Sequence, residues 1–198
     1  MHYHTVLFKK MDQEAKQLVY ILLGEGFEEI EALAPADLLR RAGLKAALVA
    51  VEQRNVTGGH GITVTADMTL KDVRPDELEM LVIPGGLGGV DSIRRSRDAQ
   101  NLITRAYETG RYLAAICAGP TILAELGYLD RRSATCYPGL EEQMQSAVIQ
   151  SGASIVEDGR IITGQAAGSA VAFGLALVKT LAGDKAAEEV RSGIHYRD

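Results

Sequence analysis

The chain has 198 residues, of which 46% are hydrophobic and 24% charged, enough apolar material for one globular domain with a full core. Its 26 acidic and 21 basic residues leave a net charge of −5, which disfavours nucleic acid or an anionic membrane as a partner. We interpret residues 1–17 as an N-terminal extension of unassigned role, since they lack the apolar run of a signal peptide or membrane span. Residues 18–198 are expected to form the single domain.

The first half of that domain reads as strand, helix and strand. Residues 18–23 (LVYILL) are continuously apolar, as expected for a parallel strand covered on both faces. Residues 28–42 carry apolar side chains at helical spacing and end at Gly43. A second strand is predicted at 46–51, followed by an antiparallel excursion whose glycine-rich turn is 58–61.

A third apolar run, residues 80–83, leads into the glycine loop 84–89 (PGGLGG). The basic cluster 93–97 (IRRSR) is interpreted as a solvated helix face, and residues 99–108 as a helix ended by Gly110. Residues 112–120 (YLAAICAGP) then predict a buried strand, a sharp turn carrying Cys117 and the start of a helix. A helix N-terminus favours a thiolate, so this turn predicts a nucleophile with a lowered pKa, although a small buried core cysteine is the plainer alternative.

The remaining segments continue the alternation of strands and helices. We predict a helix at 121–126, a short strand at 134–136, a helix at 140–149, a hairpin at 155–163 and an apolar helix at 169–181. This order predicts an α/β fold with a doubly wound, mostly parallel sheet sandwiched by helices. Its functional site is expected at the carboxyl ends of the strands, where the glycine loop would bring backbone N–H groups towards Cys117 as an oxyanion hole.

Several stretches, in this order and spacing, resemble the DJ-1/PfpI (ThiJ-like) family, in particular its bacterial DJ-1-like branch. They are GFEEIEALAPADLLRRAG, VIPGG, AAICAGPTILAELG, TCYPG and ITGQAAGS. The resemblance implies a flavodoxin-like sheet related to class I glutamine amidotransferases. It also implies a homodimer that pairs about the first helix and the glycine-flanked hairpin.

The resemblance assigns roles to individual residues. Cys117 would be the nucleophile, and Glu31, the last acid of FEEIE, would hydrogen-bond its thiolate as a protonated acid, which requires a pKa raised by burial. Backbone N–H groups of the glycine loop (Gly85 and Gly86) and of Ala118 would hold an oxyanion. Where many relatives have histidine before proline, this chain has Tyr137, a poor general base at neutral pH.

His60 is the remaining candidate for contact with substrate, although it is ordinarily a surface loop histidine. Because its pKa lies near neutrality, it is a possible replacement for the histidine missing at position 137. Cys136 is interpreted as a buried strand cysteine rather than a second redox thiol. With no secretory leader recognised, we expect both thiols to be free in a reducing cytoplasm.

Two functions remain open at this point. In one, Cys117 adds to a reactive dicarbonyl such as methylglyoxal, as in glyoxalase III or deglycase chemistry. In the other, the protein is a redox sensor or chaperone-like stress protein in which Cys117 is oxidised. The partner is thus a small-molecule substrate or an oxidant. The motifs predict no metal and no cofactor, and we find none of the serine-elbow or phosphate-loop patterns.

Overall fold

The computed structural model describes residues 18–197, in which strands and helices alternate along the chain. The strands are β1 (Leu18–Leu23), β2 (Lys45–Ala50), β3 (Asn55–Thr57), β4 (Thr63–Thr65), β5 (Met68–Thr69), β6 (Leu78–Ile83), β7 (Tyr112–Ile116), β8 (Ser133–Ala134), β9 (Val148–Ile149), β10 (Ile155–Asp158) and β11 (Ile161–Gly164). The α-helices are α1 (Glu29–Arg41), α2 (Leu87–Arg95), α3 (Arg97–Glu108), α4 (Pro120–Glu125) and α5 (Ala170–Gly193). The predicted extension, residues 1–17, lies outside the described residues.

Seven strands form the central sheet, in the order β10-β11-β7-β6-β1-β2-β5. All neighbouring pairs in this sheet are parallel except β10 and β11, which form an antiparallel hairpin. Strands β3 and β4 form a separate antiparallel ribbon beside it. The prediction of a doubly wound, mostly parallel α/β sheet is therefore confirmed, as is the antiparallel excursion.

The core lies on both faces of the sheet, as the uninterrupted apolar sequence of β1 requires. Val19, Ile21 and Leu23 point to the side covered by α1 and α5. Tyr20 and Leu22 point to the side covered by α2, α3 and α4. All five side chains are 0% or 1% exposed, and burying a residue of this size contributes about 1.5–3 kcal/mol of hydrophobic free energy.

Two local predictions are wrong. Residues 140–149 do not form an α-helix: a 3-10 turn at Glu141–Met144 ends at Gln145, whose φ of 53° breaks the helical path, and Val148–Ile149 then pairs with β8. The glycine loop 84–89 is shorter than expected, because α2 already begins at Leu87.

The basic cluster 93–97 lies at the junction of α2 and α3, and only part of it is solvated as predicted. Ile93 is buried, and Arg94 is 27% exposed and pairs with Asp91 and Glu125. Ile93 and Arg94 are therefore packed or ion-paired, whereas Arg95 and Arg97, the last residue of α2 and the first of α3, are exposed as predicted. Within the described part of the chain, no helix is long and apolar enough to cross a membrane.

Candidate active site

Three chain reversals meet at the carboxyl edge of the sheet. The turn before α1 follows β1, the glycine segment before α2 follows β6, and Cys117 follows β7. Because β1, β6 and β7 are adjacent and parallel, these segments emerge side by side. The structure thus brings Glu31, Gly85 and Cys117 together, although they lie far apart in the sequence.

The backbone of Cys117 has the geometry of a nucleophile elbow. Its φ is 63°, a left-handed conformation that is uncommon for a residue other than glycine. Its N–H donates to the carbonyl of Gly164 at 3.0 Å, and its carbonyl accepts from the N–H of Tyr137 at 2.9 Å. A side chain at Gly119 would place Cβ 2.4 Å from the carbonyl oxygen of Ile83, so the turn also requires glycine there. These contacts hold the thiol out of the strand direction.

Glu31 reaches Cys117 from the first turn of α1. Glu28 caps this helix, with its Oε2 accepting from the N–H of Glu31 at 2.7 Å. The side chain of Glu31 is 0% exposed, and its Oε2 accepts from the N–H of Gly85 at 2.8 Å. A Cβ at Gly85 would lie 2.5 Å from that oxygen and 2.7 Å from Cβ of Cys117, so only glycine fits between the two side chains.

The Glu31 carboxyl and the Cys117 thiol titrate as a coupled pair. Burial raises the pKa of Glu31 to about 7, which confirms the raised pKa expected for this acid. Burial, followed by the charge of Glu31, raises the pKa of Cys117 to about 12. The pair therefore holds one proton between these pH values, and the higher pKa of the thiol places it on Cys117. The expected protonated Glu31 donating to a thiolate is thus wrong, because the hydrogen bond between the two lowers the pKa of Glu31 and raises that of Cys117, which makes the carboxylate the acceptor. The expectation of a lowered Cys117 pKa from the helix N-terminus alone is wrong, because burial and the neighbouring carboxylate outweigh it.

Two backbone donors partly offset the raised pKa of Cys117. The N–H groups of Ala118 and Gly86 hydrogen-bond the Cys117 sulfur, and each lowers the pKa of the thiol. They are two of the three donors expected to hold an oxyanion. The third, the N–H of Gly85, donates to Glu31 Oε2 instead. In contrast, Oε1 of Glu31 is buried without a hydrogen-bond partner among the described residues. An unpaired buried carboxylate oxygen is costly, so this position suits an oxygen that takes up a proton.

The sulfur opens into a cavity of about 320 Å³. Tyr137 lines it, as the sequence predicts, and its side chain is 48% exposed. The other lining residues are Glu28, Gly86, Leu87, Cys117, Ala118, Pro138, Gly139 and Leu140. Leu87, Pro138 and Leu140 were not singled out from the sequence, because only the folded loops bring them around the sulfur.

His60 does not line this cavity. Its N–H donates to Glu29 Oε1 at 2.8 Å, and its Nδ1 lies 2.9 Å from Glu29 Oε2, while the ring remains 73% exposed. The hydrogen bond and charge of Glu29 raise the pKa of His60. Burial alone would raise the pKa of Glu29, but its hydrogen bonds to His60 and Ile62 lower it. His60 thus joins the β3–β4 ribbon to α1, and its contact with substrate stays a prediction.

The grouping of Glu28, Glu29 and His60 was missed by the sequence reasoning. One potential metal-ligating atom from each of these residues lies within 4.8 Å of the other two. The only sequence signal was a histidine in a glycine turn, 31 positions after Glu29. In the structure, the ring of His60 is hydrogen-bonded to Glu29. The three side chains therefore attach the β3–β4 ribbon to α1.

Cys136 lies beside Tyr137 but is a structural residue. It is 4% exposed, and burial, followed by the charge of Glu141, raises its pKa to about 11. Both cysteines are free, as predicted. Cys136 is buried as expected, although it lies just beyond β8 rather than on a strand.

The fold and this site define a class of α/β proteins with a cysteine on a tight turn beside a buried glutamate. A family model described as the DJ-1/PfpI family matches residues 17–180. The chain belongs to the DJ-1/PfpI family.

Individual relatives cover most of the chain. Protein dj-1beta of Drosophila melanogaster is 33% identical over 176 residues, which are 88% of this chain and 94% of that protein. A deglycase of Pyrococcus abyssi is 32% identical over 164 residues, or 82% of this chain and 98% of the relative. A crystal structure of a cysteine-to-alanine mutant of a DJ-1 superfamily protein from Salmonella typhimurium aligns with a TM-score of 0.86. It is 31% identical, and the alignment covers 92% of this chain and all of that one.

Proposed function

We propose that this protein is a cysteine-dependent enzyme of glyoxalase III or deglycase type that acts on reactive dicarbonyls, with Cys117 as its nucleophile. The observation that carries the proposal is the buried carboxyl of Glu31 beside Cys117, whose side chain lines an open cavity. The deglycase relative supports the same class of reaction. A nucleophile with an adjacent proton acceptor is the arrangement that covalent catalysis at a carbonyl needs.

The residues present can carry the conversion of methylglyoxal to lactate, which consumes one water and needs no external oxidant. The sulfur of Cys117 adds to the aldehyde carbon, and Glu31 takes the thiol proton and passes it to the carbonyl oxygen, giving a hemithioacetal. Transfer of the aldehyde hydrogen to the ketone carbon, as a proton passed through an enediol, leaves a thioester. Water then hydrolyses the carbon–sulfur bond to release lactate and the thiol. The N–H groups of Gly86 and Ala118 are placed to bind the oxygen that becomes negative.

Lactate formation from methylglyoxal tests this proposal. We expect the wild-type protein to produce lactate and Cys117→Ser to produce none above the buffer rate, with unchanged far-UV circular dichroism. A Cys136→Ser variant is the matched control and should retain activity, since Cys136 does not line the cavity. Equal lactate yields from wild type and Cys117→Ser would reject the proposal.

One observation favours the redox-sensor alternative. The two N–H groups on the Cys117 sulfur could equally hold the oxygens of a sulfinate. Two molecules of peroxide would oxidise the thiol to sulfinic acid and release two molecules of water. A two-oxygen gain in the intact mass, mapped to Cys117 and accompanied by no lactate formation, would favour the sensor over the enzyme.

We further propose that the protein is a cytoplasmic homodimer. Support for pairing about α1 and the β3–β4 ribbon comes from two large apolar side chains that remain exposed there, Ile30 at 54% and Ile62 at 56%. Two free thiols are consistent with a reducing compartment. Light scattering is expected to give twice the chain mass, and Ile62→Asp should yield a folded monomer. A monomeric wild type would contradict this assembly.

A further inference from the structure

The Cys117 cavity has mostly apolar walls and one acidic lining residue, Glu28. Its walls come mainly from apolar parts of Leu87, Tyr137, Pro138 and Leu140. Leu87 lines the cavity and is 69% exposed. Such a surface favours a substrate with an apolar substituent beside the reacting carbonyl.

The charges that face the sulfur are all negative. Glu28 lines the cavity with a side chain that is 13% exposed, and Glu31 lies buried against the thiol. No lysine or arginine is among the lining residues. His60 lies outside the cavity lining, with Nδ1 4.0 Å from Glu28 Oε1 and 2.9 Å from Glu29 Oε2. An anionic compound approaching Cys117 therefore meets carboxylates in a cavity that no lysine or arginine lines.

Glu28 is held rigidly in this position. Its Oε2 accepts the N–H of Glu31, which leaves Oε1 as the oxygen that does not serve as the helix cap. Its charge acts on Glu31, whose pKa it contributes to raising. Glu28 is thus positioned to affect any charged compound that reaches the sulfur.

We propose that Glu28 determines the substrate class of this site, by admitting neutral carbonyl compounds with an apolar substituent and rejecting anionic ones such as α-oxo acids. This proposal deepens the proposed function and rests on it for the identity of the reaction. Glu28 would repel an anionic compound before it reacts with Cys117, so this selection can be measured from the reactivity of Cys117 alone, without catalytic turnover. At a separation of about 6 Å and an effective dielectric constant of about 40–80, one carboxylate disfavours a second by roughly three- to tenfold.

Alkylation of Cys117 by two reagents of similar size tests the charge selection. Iodoacetamide is neutral and iodoacetate is anionic, so the ratio of their rate constants reports the field at the sulfur. We expect this ratio in wild type to exceed that of free N-acetylcysteine, and Glu28→Gln to lower it by roughly fivefold. Glutamine retains an oxygen for the helix cap. The reaction is run well above the Glu31 pKa of about 7, so that Glu31 carries the same charge in both proteins and any change in the thiolate fraction cancels in the ratio.

Glu108→Gln is the matched control, since it removes the same charge from an exposed position at the C-terminal end of α3. It should leave the ratio unchanged. The apolar walls predict that N-phenyl iodoacetamide reacts faster than iodoacetamide with Cys117, relative to N-acetylcysteine. The same reagent ratio in wild type and Glu28→Gln would overturn the proposal. A shifted ratio in a protein that forms no lactate would reject the proposed reaction but retain the role of Glu28.

Discussion

Replacing Glu31 with glutamine is expected to slow the alkylation of Cys117 at pH 8 by about a hundredfold, the lower end of what a positioned base contributes. In wild type, the rate should rise as Glu31 ionises, with an apparent pKa of about 7, and then level off. The carboxylate can accept the thiol proton, whereas an amide cannot. Loss of the Glu31 charge lowers the pKa of the Cys117 thiol relative to wild type, but burial still keeps that thiol protonated at pH 8. Without a proton acceptor beside it, Cys117 of the variant is therefore expected to react slowly.

Iodoacetamide kinetics from pH 5 to 10, followed by peptide mapping of each cysteine, would measure this effect. Cys136 provides an internal control, because its burial should keep it slow in both proteins. A rate profile for Cys117 that is the same in wild type and Glu31→Gln would refute the coupled pair. A faster reaction at Cys136 than at Cys117 would show that the elbow does not present the reactive thiol.

The same substitution is expected to stabilise the fold above neutral pH. The pKa of Glu31 rises from 4.5 to about 7 on folding, so the folded state retains a proton that the unfolded state has lost. Stability therefore falls as pH increases between these values, by about 3 kcal/mol in total. Glu31→Gln removes this cost, and its advantage over wild type should grow from pH 5 to pH 8.

Urea unfolding at several pH values would test this prediction. The quantity to compare is the difference in unfolding free energy between Glu31→Gln and wild type, since other groups that titrate cancel in it. If the unfolding free energies of wild type and Glu31→Gln vary in parallel with pH, burial does not raise the pKa of Glu31.

The elements of the sheet were largely predictable because they depend on local apolar patterns. β1 was predicted with its observed bounds, and the helix at 28–42 differs from α1 only by its two capping residues, Glu28 and Ala42. The failures occurred where tertiary contacts decide the conformation. α2 begins among glycines because a Cβ at Gly89 would lie 2.7 Å from Cα of Phe27, so close packing selects residues that helix propensity disfavours.

The members of the site were more predictable than their electrostatics. The turn at Cys117 and the glycine segment follow adjacent strands, so sequence order was sufficient to bring them to one edge. The direction of the Cys117 pKa shift could not be predicted from sequence order, because it depends on burial and on a carboxylate from another element. Likewise, no local pattern relates Glu29 to His60, and only the folded ribbon brings their side chains together.

The most direct test of the account is to measure lactate formation as Cys117 is progressively blocked. Wild-type protein would be treated with substoichiometric iodoacetamide at pH 7.5, and the labelled fraction of each cysteine would be determined by peptide mapping. We predict that activity falls in proportion to the labelled fraction of Cys117 and reaches zero when that residue is fully labelled. Activity that persists after complete labelling of Cys117, or its absence from the unlabelled protein, would contradict the assignment of Cys117 as the nucleophile of a dicarbonyl-converting enzyme.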